Sequence, residues 1–342
     1  MIFKLIIYVL LHHLLNIFLV KKRILLDKLE TSSHKTKVLT NVNTPLSGGL
    51  MFVILFLFIT LKQDYFLIGA VFLIYILGLL SDVNLLSSPS KRILFQTLIL
   101  VGYITLGNIE IRSISIDTFD QILKINLFNS LFLLLCLLVL INGSNFLDGL
   151  NGLVINYFII CFSAIYISSN IYNFQLDFLF VENILLILII ISIFNLFGKS
   201  FLGDSGSYSL AFFMGVFCIQ FIYDNPKVVS PYFVALLLWY PAIENLFSII
   251  RRINSKKNLS VADNFHLHHL IYDFLKNKNI FDNKILINSF SSILINLFNL
   301  LTIFLSIFYV SNTKVLISII FFNIFSYFLI YFLLKNSNPD KL

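Results

Sequence analysis

The sequence predicts an all-α, polytopic integral membrane protein, and three observations predict it. Of the 342 residues, 58% are hydrophobic and only 12% are charged, about half the charged share of a soluble domain, and the mean hydropathy is +0.93. Runs such as 128–142 (FNSLFLLLCLLVLIN) contain no charge and approach the roughly 17–25 residues that span a bilayer core as a helix. Short polar breaks separate these runs, and every other break is rich in lysine and arginine.

Taken in order, the apolar runs place about eleven transmembrane helices at 2–20, 45–61, 65–80, 92–107, 126–143, 150–169, 183–198, 207–223, 231–250, 285–310 and 314–334. The first run is followed by Lys21, Lys22 and Arg23 in place of a small-residue cleavage site, so it reads as a span and not as a signal peptide. The second and third runs are short, and Lys62-Gln63-Asp64 between them reads as a tight turn. Thr44-Pro45 with Gly48-Gly49 reads as a turn into the second helix. In GDSGS (203–207) a glycine–serine turn opens the eighth run. No internal repeat or second soluble domain is visible, so 1–342 reads as one multi-span domain.

Orientation follows from the basic residues. The breaks after odd-numbered helices, with the C-terminal tail, hold eighteen of the twenty-four lysines and arginines. The positive-inside rule places that side in the cytoplasm and the N-terminus outside. The net charge of +7 is therefore a topology signal, and no nucleic-acid partner is implied. Cys136, Cys161 and Cys218 lie far apart inside apolar runs and read as buried, inert thiols. The abundance of Ile, Phe and Asn is read as compositional and given no functional weight.

All five cytoplasmic breaks carry polar clusters: 32–49, 80–92, 145–153 (NFLDGLNGL), 198–207 (GKSFLGDSGS) and 260–269 (SVADNFHLHH). The outer breaks show no comparable mixture. Asp82, Asp148 and Asp204 each fall at a helix end on that side, where oxygen ligands suit Mg²⁺ beside substrate phosphates. Free N–H groups at the start of the eighth run favour an anion, and Lys199 adds a cation nearby. Taken singly, each aspartate is as well explained as a helix cap, and His12 and His13 within the first run read as packed between helices. The coincidence of five clusters on one face is what carries the functional reading.

In these motifs and their order the chain resembles the polyprenyl-phosphate N-acetylhexosamine-1-phosphate transferases. DKLETSSHK (27–35) with TPLSGG (44–49) resembles the family's first cytoplasmic motif, and GLLSDVNLLSSPSKRILFQ (78–96) its paired-aspartate motif. NFLDGLNGL resembles its Asn-x-x-Asp-Gly motif, KSFLGDSGS its metal-binding segment, and ADNFHLHH the histidine signature of the branch using UDP-N-acetylglucosamine-type donors. The resemblance implies transfer of a HexNAc-1-phosphate, GlcNAc-1-phosphate first, from a UDP-sugar to undecaprenyl phosphate with release of UMP. That is the initiating step of envelope glycan synthesis at the bacterial inner membrane.

It further implies Asp82, Asp148 and Asp204 as catalytic residues, and Asp204 with Asn145 as ligands of Mg²⁺, or of Mn²⁺ as the alternative ion. His34, Lys35, Thr44, Gly48, Gly49, Asn145, Lys199, His266, His268 and His269 would bind substrate. A UDP-N-acetylhexosamine, the lipid phosphate, membrane lipid and a second copy in a homodimer are the partners it allows. Two positions depart from the family pattern: Ser81 and Asn151 stand where aspartates are usual. A phosphate monoester is already largely dianionic at pH 7, with a second pKa near 6, so a dedicated base at position 81 is not required. The alternatives are a membrane transporter or lipid carrier, disfavoured because the clusters sit at one surface rather than mid-membrane, and a catalytically inactive relative.

Overall fold

A computed structural model describes residues 2–27, 44–60, 64–226, 228–254 and 265–337. The helices, in chain order, are α1 (Ile2–Lys22), α2 (Ser47–Thr60), α3 (Tyr65–Asp82), α4 (Pro89–Gly107), α5 (Asp117–Leu123), α6 (Asn126–Leu147) and α7 (Leu153–Tyr172). They continue with α8 (Phe178–Leu196), α9 (Gly203–Asp224), α10 (Pro231–Leu237), α11 (Trp239–Asn254), α12 (Leu267–Asn277), α13 (Lys284–Ile307) and α14 (Thr313–Asn336). Among the described residues the only strand-like pairing is an isolated antiparallel bridge between Leu26 and Pro45. The all-α expectation therefore holds.

Each apolar run folds as helix over most of its length, with starts set by ordinary chemistry. The Asp64 carboxylate accepts from the backbone N–H of Phe66 at 2.8 Å and opens α3, and Asp177 does the same for Phe180 at 3.0 Å in α8. Pro89 and Pro231 stand at the first turns of α4 and α10, where a missing N–H costs nothing. Among the described residues eight helices are long and apolar enough to cross a membrane, and nine if the bent pair α10–α11 is one broken span. The difference from eleven lies in α2, which has only 14 residues, and α4, whose first turns carry Lys91, Arg92 and Gln96.

The run expected as one helix over 231–250 is broken between Leu237 and Trp239, with a bend of 68°. Pro241 supplies the reason, because its ring clashes with the carbonyl four residues back and donates no hydrogen bond to it. That carbonyl belongs to Leu237, and it accepts from the Tyr157 hydroxyl at 2.7 Å and the Cys161 thiol at 3.1 Å instead.

Packing around α9 places the site. Most of its residues are buried, and its first turn is pressed against α2 and α3 where side chains are absent or small. A Cβ on Gly78 would lie 2.4 Å from Ser205 Cα, and one on Gly49 would lie 2.5 Å from Gly206 N. Small residues allow this backbone approach between apolar helices. Further along, Phe213 packs on Phe56 at 4.9 Å and Phe162 at 5.8 Å. Cys161 and Cys218 are buried as expected, but Cys136 is exposed, since it lines an open apolar cavity beside α6.

Candidate active site

The breaks between helices bring four polar clusters together at one end of the bundle. At its centre is the start of α9. Gly203 has φ of +75°, and a Cβ there would lie 2.7 Å from Asp82 Oδ2, so only glycine fits both conformation and space. The Asp82 carboxylate accepts from Asp204 N at 2.8 Å and Ser205 N at 3.0 Å. The anion expected at this helix start is thus the protein's own Asp82, which neutralises the unsatisfied N–H groups and the positive helix end.

With its backbone held this way, Asp204 turns its carboxylate toward α3 and α4. Its Oδ2 accepts from Ser81 Oγ at 2.5 Å and from Arg92 Nη1 at 3.1 Å. Arg92 is itself fixed by the carbonyls of Leu86 at 2.8 Å and Ser87 at 3.3 Å. Ser207, one turn on, donates to Asn145 Oδ1 at 3.1 Å and Asp204 O at 3.3 Å. Asn145 Nδ2 donates to Tyr208 OH at 3.4 Å. The Asn145 side chain is therefore tied through one hydroxyl to the main-chain carbonyl of Asp204.

Asp148 is the C-cap of α6, its N–H bonded to the carbonyls of Ser144 and Asn145. The turn after it is gripped from three sides. Asn195 accepts from Gly152 N and donates to Ser200 O at 2.8 Å, joining this turn to the segment before α9. Asn288 accepts from Asn151 N at 2.6 Å, and Ser292 donates to Asn151 O at 2.6 Å. A Cβ on Gly149 would lie 2.8 Å from His268 Nε2 and 3.3 Å from His269 Cε1, so the histidine segment rests directly on the Asp148 turn.

The three histidines sit together, with ring centroids of His266 and His268 at 5.5 Å and of His268 and His269 at 4.2 Å. Burial, then the neighbouring His269 and His266, push the His268 pKa well below the usual histidine value. His266 Nδ1 meets the Glu244 carboxylate at 2.9 Å.

Other expected residues have different surroundings. Thr44 donates to Gly198 O at 3.3 Å, and the N–H groups of Gly48 and Gly49 bond to the carbonyls of Phe201 and Leu202. These three anchor the segment before α9. Lys199 is exposed, and His34 and Lys35 lie outside the described residues. His12 is buried between helices as expected, with Nε2 facing Ser47 Oγ at 3.3 Å and Ser200 Oγ at 3.2 Å. His13, expected to be packed likewise, is exposed, because the helical period turns it about 100° away from that contact.

Four residues that build this site escaped the sequence reading: Arg92, Asn195, Glu244 and Asn288. Arg92 falls inside the motif at 78–96, but no role there follows from its position in the sequence. Glu244 was detectable as the one carboxylate within the run 231–250, since an ionisable group inside an apolar span is a functional candidate by default. Asn195 and Asn288 were hidden by treating asparagine as compositional.

An oxygen-donor set of one carboxylate and one amide beside a nucleotide diphosphate suits Mg²⁺, which takes few protein ligands and completes its shell with phosphates and water. Among the described residues no group of three or more His, Cys, Asp or Glu side chains could hold a metal ion by itself.

Residues 65–222 match glycosyl transferase family 4. Over 212 residues, 60% of this chain and 57% of the relative, the sequence is 26% identical to a probable undecaprenyl-phosphate N-acetylglucosaminyl 1-phosphate transferase of Bacillus subtilis. Over 226 residues, 66% of this chain and 67% of the relative, it is 25% identical to an undecaprenyl-phosphate alpha-N-acetylglucosaminyl 1-phosphate transferase of Thermotoga maritima. The match spans little more than half the length of the first of these. The matched segment contains Asp82, Asn145, Asp148 and Asp204, so the residues of the junction at α9 lie in the part of the chain that is similar to glycosyl transferase family 4.

Proposed function

We propose that this protein transfers a HexNAc-1-phosphate, GlcNAc-1-phosphate first, from a UDP-sugar to undecaprenyl phosphate, releasing UMP. The single observation that carries the reading is the junction at the start of α9. There Asp204, aligned by Ser81 and Arg92, meets Asn145 through Ser207. The names of both relatives pair undecaprenyl phosphate with N-acetylglucosaminyl 1-phosphate transfer, which supports the acceptor and the transferred group.

The products define the bond changes. An oxygen of the lipid phosphate attacks the β-phosphorus of the UDP-sugar, and the bond from that phosphorus to the bridging oxygen breaks to leave UMP. Asp204 and Asn145 would hold Mg²⁺, or Mn²⁺ in its place, and the ion would offset charge on the diphosphate and the leaving phosphate. Arg92 adds a fixed cation at the same point, and its bonds to two carbonyls keep it from following the substrate. Asp82 keeps the α9 helix start in place and thereby Asp204. Asp148 and the histidines of 266–269 face the nucleotide-sugar. No protein base is required, because the acceptor arrives as the dianion, and positioning with charge neutralisation suffices.

An apolar cavity of about 770 Å³ lies between α6, α9, α10 and α11. Its lining includes Leu137, Leu140, Ala242 and Leu246, the last two flanking Glu244 in sequence. It holds none of the site's polar groups, and it suits the isoprenoid tail of an acceptor whose phosphate reaches the site end. On this reading the site faces the cytoplasm at a bacterial inner membrane, where UDP-sugars are made, and acts at the start of an envelope glycan; the basic bias of the odd-numbered breaks supports that orientation.

Purified protein incubated with undecaprenyl phosphate, Mg²⁺ and a panel of UDP-sugars should release UMP and form a lipid-linked diphosphate sugar. Solute uptake without UMP would instead support a transporter, and binding without turnover an inactive relative.

A further inference from the structure

Glu244 is fully buried, and among the described residues no other carboxylate is as completely removed from solvent. The proposed reaction gives it no task. The Pro241 break sets its position, and Asn245 beside it donates to Val139 O at 2.9 Å, fixing α11 against α6. From there the carboxylate reaches the start of α12: Oε2 meets His266 Nδ1 at 2.9 Å and Oε1 accepts from Leu267 N at 3.1 Å. One side chain thus caps the helix bearing His268 and His269 and also fixes the His266 ring.

A carboxylate without water is costly unless it is both charge-paired and hydrogen-bonded. His266 Nδ1 and the Leu267 N–H supply the hydrogen bonds that this carboxylate needs. Tyr240 and Tyr327 also face the carboxylate, and Arg251 lies beyond Tyr327. With Nδ1 committed, Nε2 is the one ring nitrogen of His266 left for a ligand. The ring lies 5.1 Å from that of Phe146, the residue after Asn145, so this nitrogen belongs to the reacting end of the donor.

We infer that Glu244 is a positioning residue for the donor diphosphate: it holds the His266 ring so that Nε2 is turned to the β-phosphate, and it acts without touching substrate. The inference rests on the transferase reading above.

The test is binding of UMP, UDP and UDP-N-acetylglucosamine to detergent-purified protein by calorimetry. UDP differs from UMP by the β-phosphate alone. Glu244→Gln should weaken UDP and UDP-N-acetylglucosamine by about tenfold, the scale of one charge-assisted hydrogen bond, and leave UMP within about twofold. His266→Gln should show the same selective loss, and the double variant should lose no more than His266→Gln alone.

Equal weakening of UMP and UDP would make Glu244 merely structural and overturn the inference. So would a loss confined to the UDP-sugar, which would put His266 on the sugar. Should Glu244→Gln not fold, an unchanged UDP-to-UMP preference in His266→Gln overturns it independently. Wild-type protein that binds none of the three ligands would defeat the transferase reading itself, whereas wild-type preference for UDP that survives the substitutions defeats only this inference.

Discussion

Asp204 owes its orientation to groups outside its own helix, and this decides what substitutions there should do. In Asp204→Asn the amide is a poorer ligand for a hard cation, so UMP release should fall by at least about a hundredfold while the protein still elutes as a folded particle. Near-normal release at ordinary Mg²⁺ would remove Asp204 from the metal site. Ser81 donates to the same carboxylate, so Ser81→Asp would set two like charges side by side. Without Mg²⁺ the variant should melt below wild type, and added Mg²⁺ should restore it at a lower half-saturating concentration than wild type needs. No response to Mg²⁺ would show that the two carboxylates share no ion. His268 offers a pH signature. Its lowered pKa keeps it neutral when folded, while the unfolded chain takes up a proton below about pH 6.5. Its contribution to stability is therefore lost as pH falls from about 6.5 toward 5. His268→Gln should flatten the decline in melting temperature over that window, and an unchanged slope would assign the decline to other groups.

At the scale of the elements, close approach decides more than helix propensity does. Gly203→Ala forces a side chain into a left-handed conformation and onto Asp82. It should cost about 1–3 kcal/mol and lower activity with it, through displacement of Asp204. Gly69, in the same apolar setting on α3, has nothing within 4 Å of a built Cβ, so Gly69→Ala should be neutral or slightly stabilising. Equal melting temperatures for the two variants would refute the packing account. The break in α10–α11 was legible in principle, because Pro241 lies ten residues into the expected helix. What could not be read is that Tyr157 and Cys161, on α7, satisfy the carbonyl that the proline leaves open. That contact belongs to the packing of two helices, and neither sequence segment records it.

For the molecule as a whole, sidedness can be tested apart from chemistry. The basic bias predicts that Lys278, exposed just beyond α12, faces the cytoplasm. A cysteine placed there in a variant lacking Cys136, Cys161 and Cys218 should resist an impermeant thiol reagent in intact cells and react after permeabilisation. Labelling from outside would invert the arrangement and take the supply of UDP-sugar away from the site. The cavity between α6, α9, α10 and α11 belongs to this scale as well, since residues far apart in the sequence, such as Leu137 and Leu246, line it together.

Hydrophobic run length and the spacing of polar breaks determined by themselves that the chain is helical and suited to a membrane, because backbone groups in lipid must bond within their own segment. Motif order likewise brought Asp82, Asn145, Asp148 and Asp204 to the same neighbourhood, since each sits where an apolar run ends. Only the tertiary structure decided their separate tasks. Asp82 and Asp204 are both aspartates at helix ends in the sequence, yet one binds the N–H groups of α9 and the other meets Arg92 and Ser81. That division depends on which helix end lies opposite, and the backbone contact at Gly78 and Ser205 determines it. Glu244 is the sharper case: within its own run it is one carboxylate among apolar residues, and only the folded chain brings His266 and the Leu267 N–H to it.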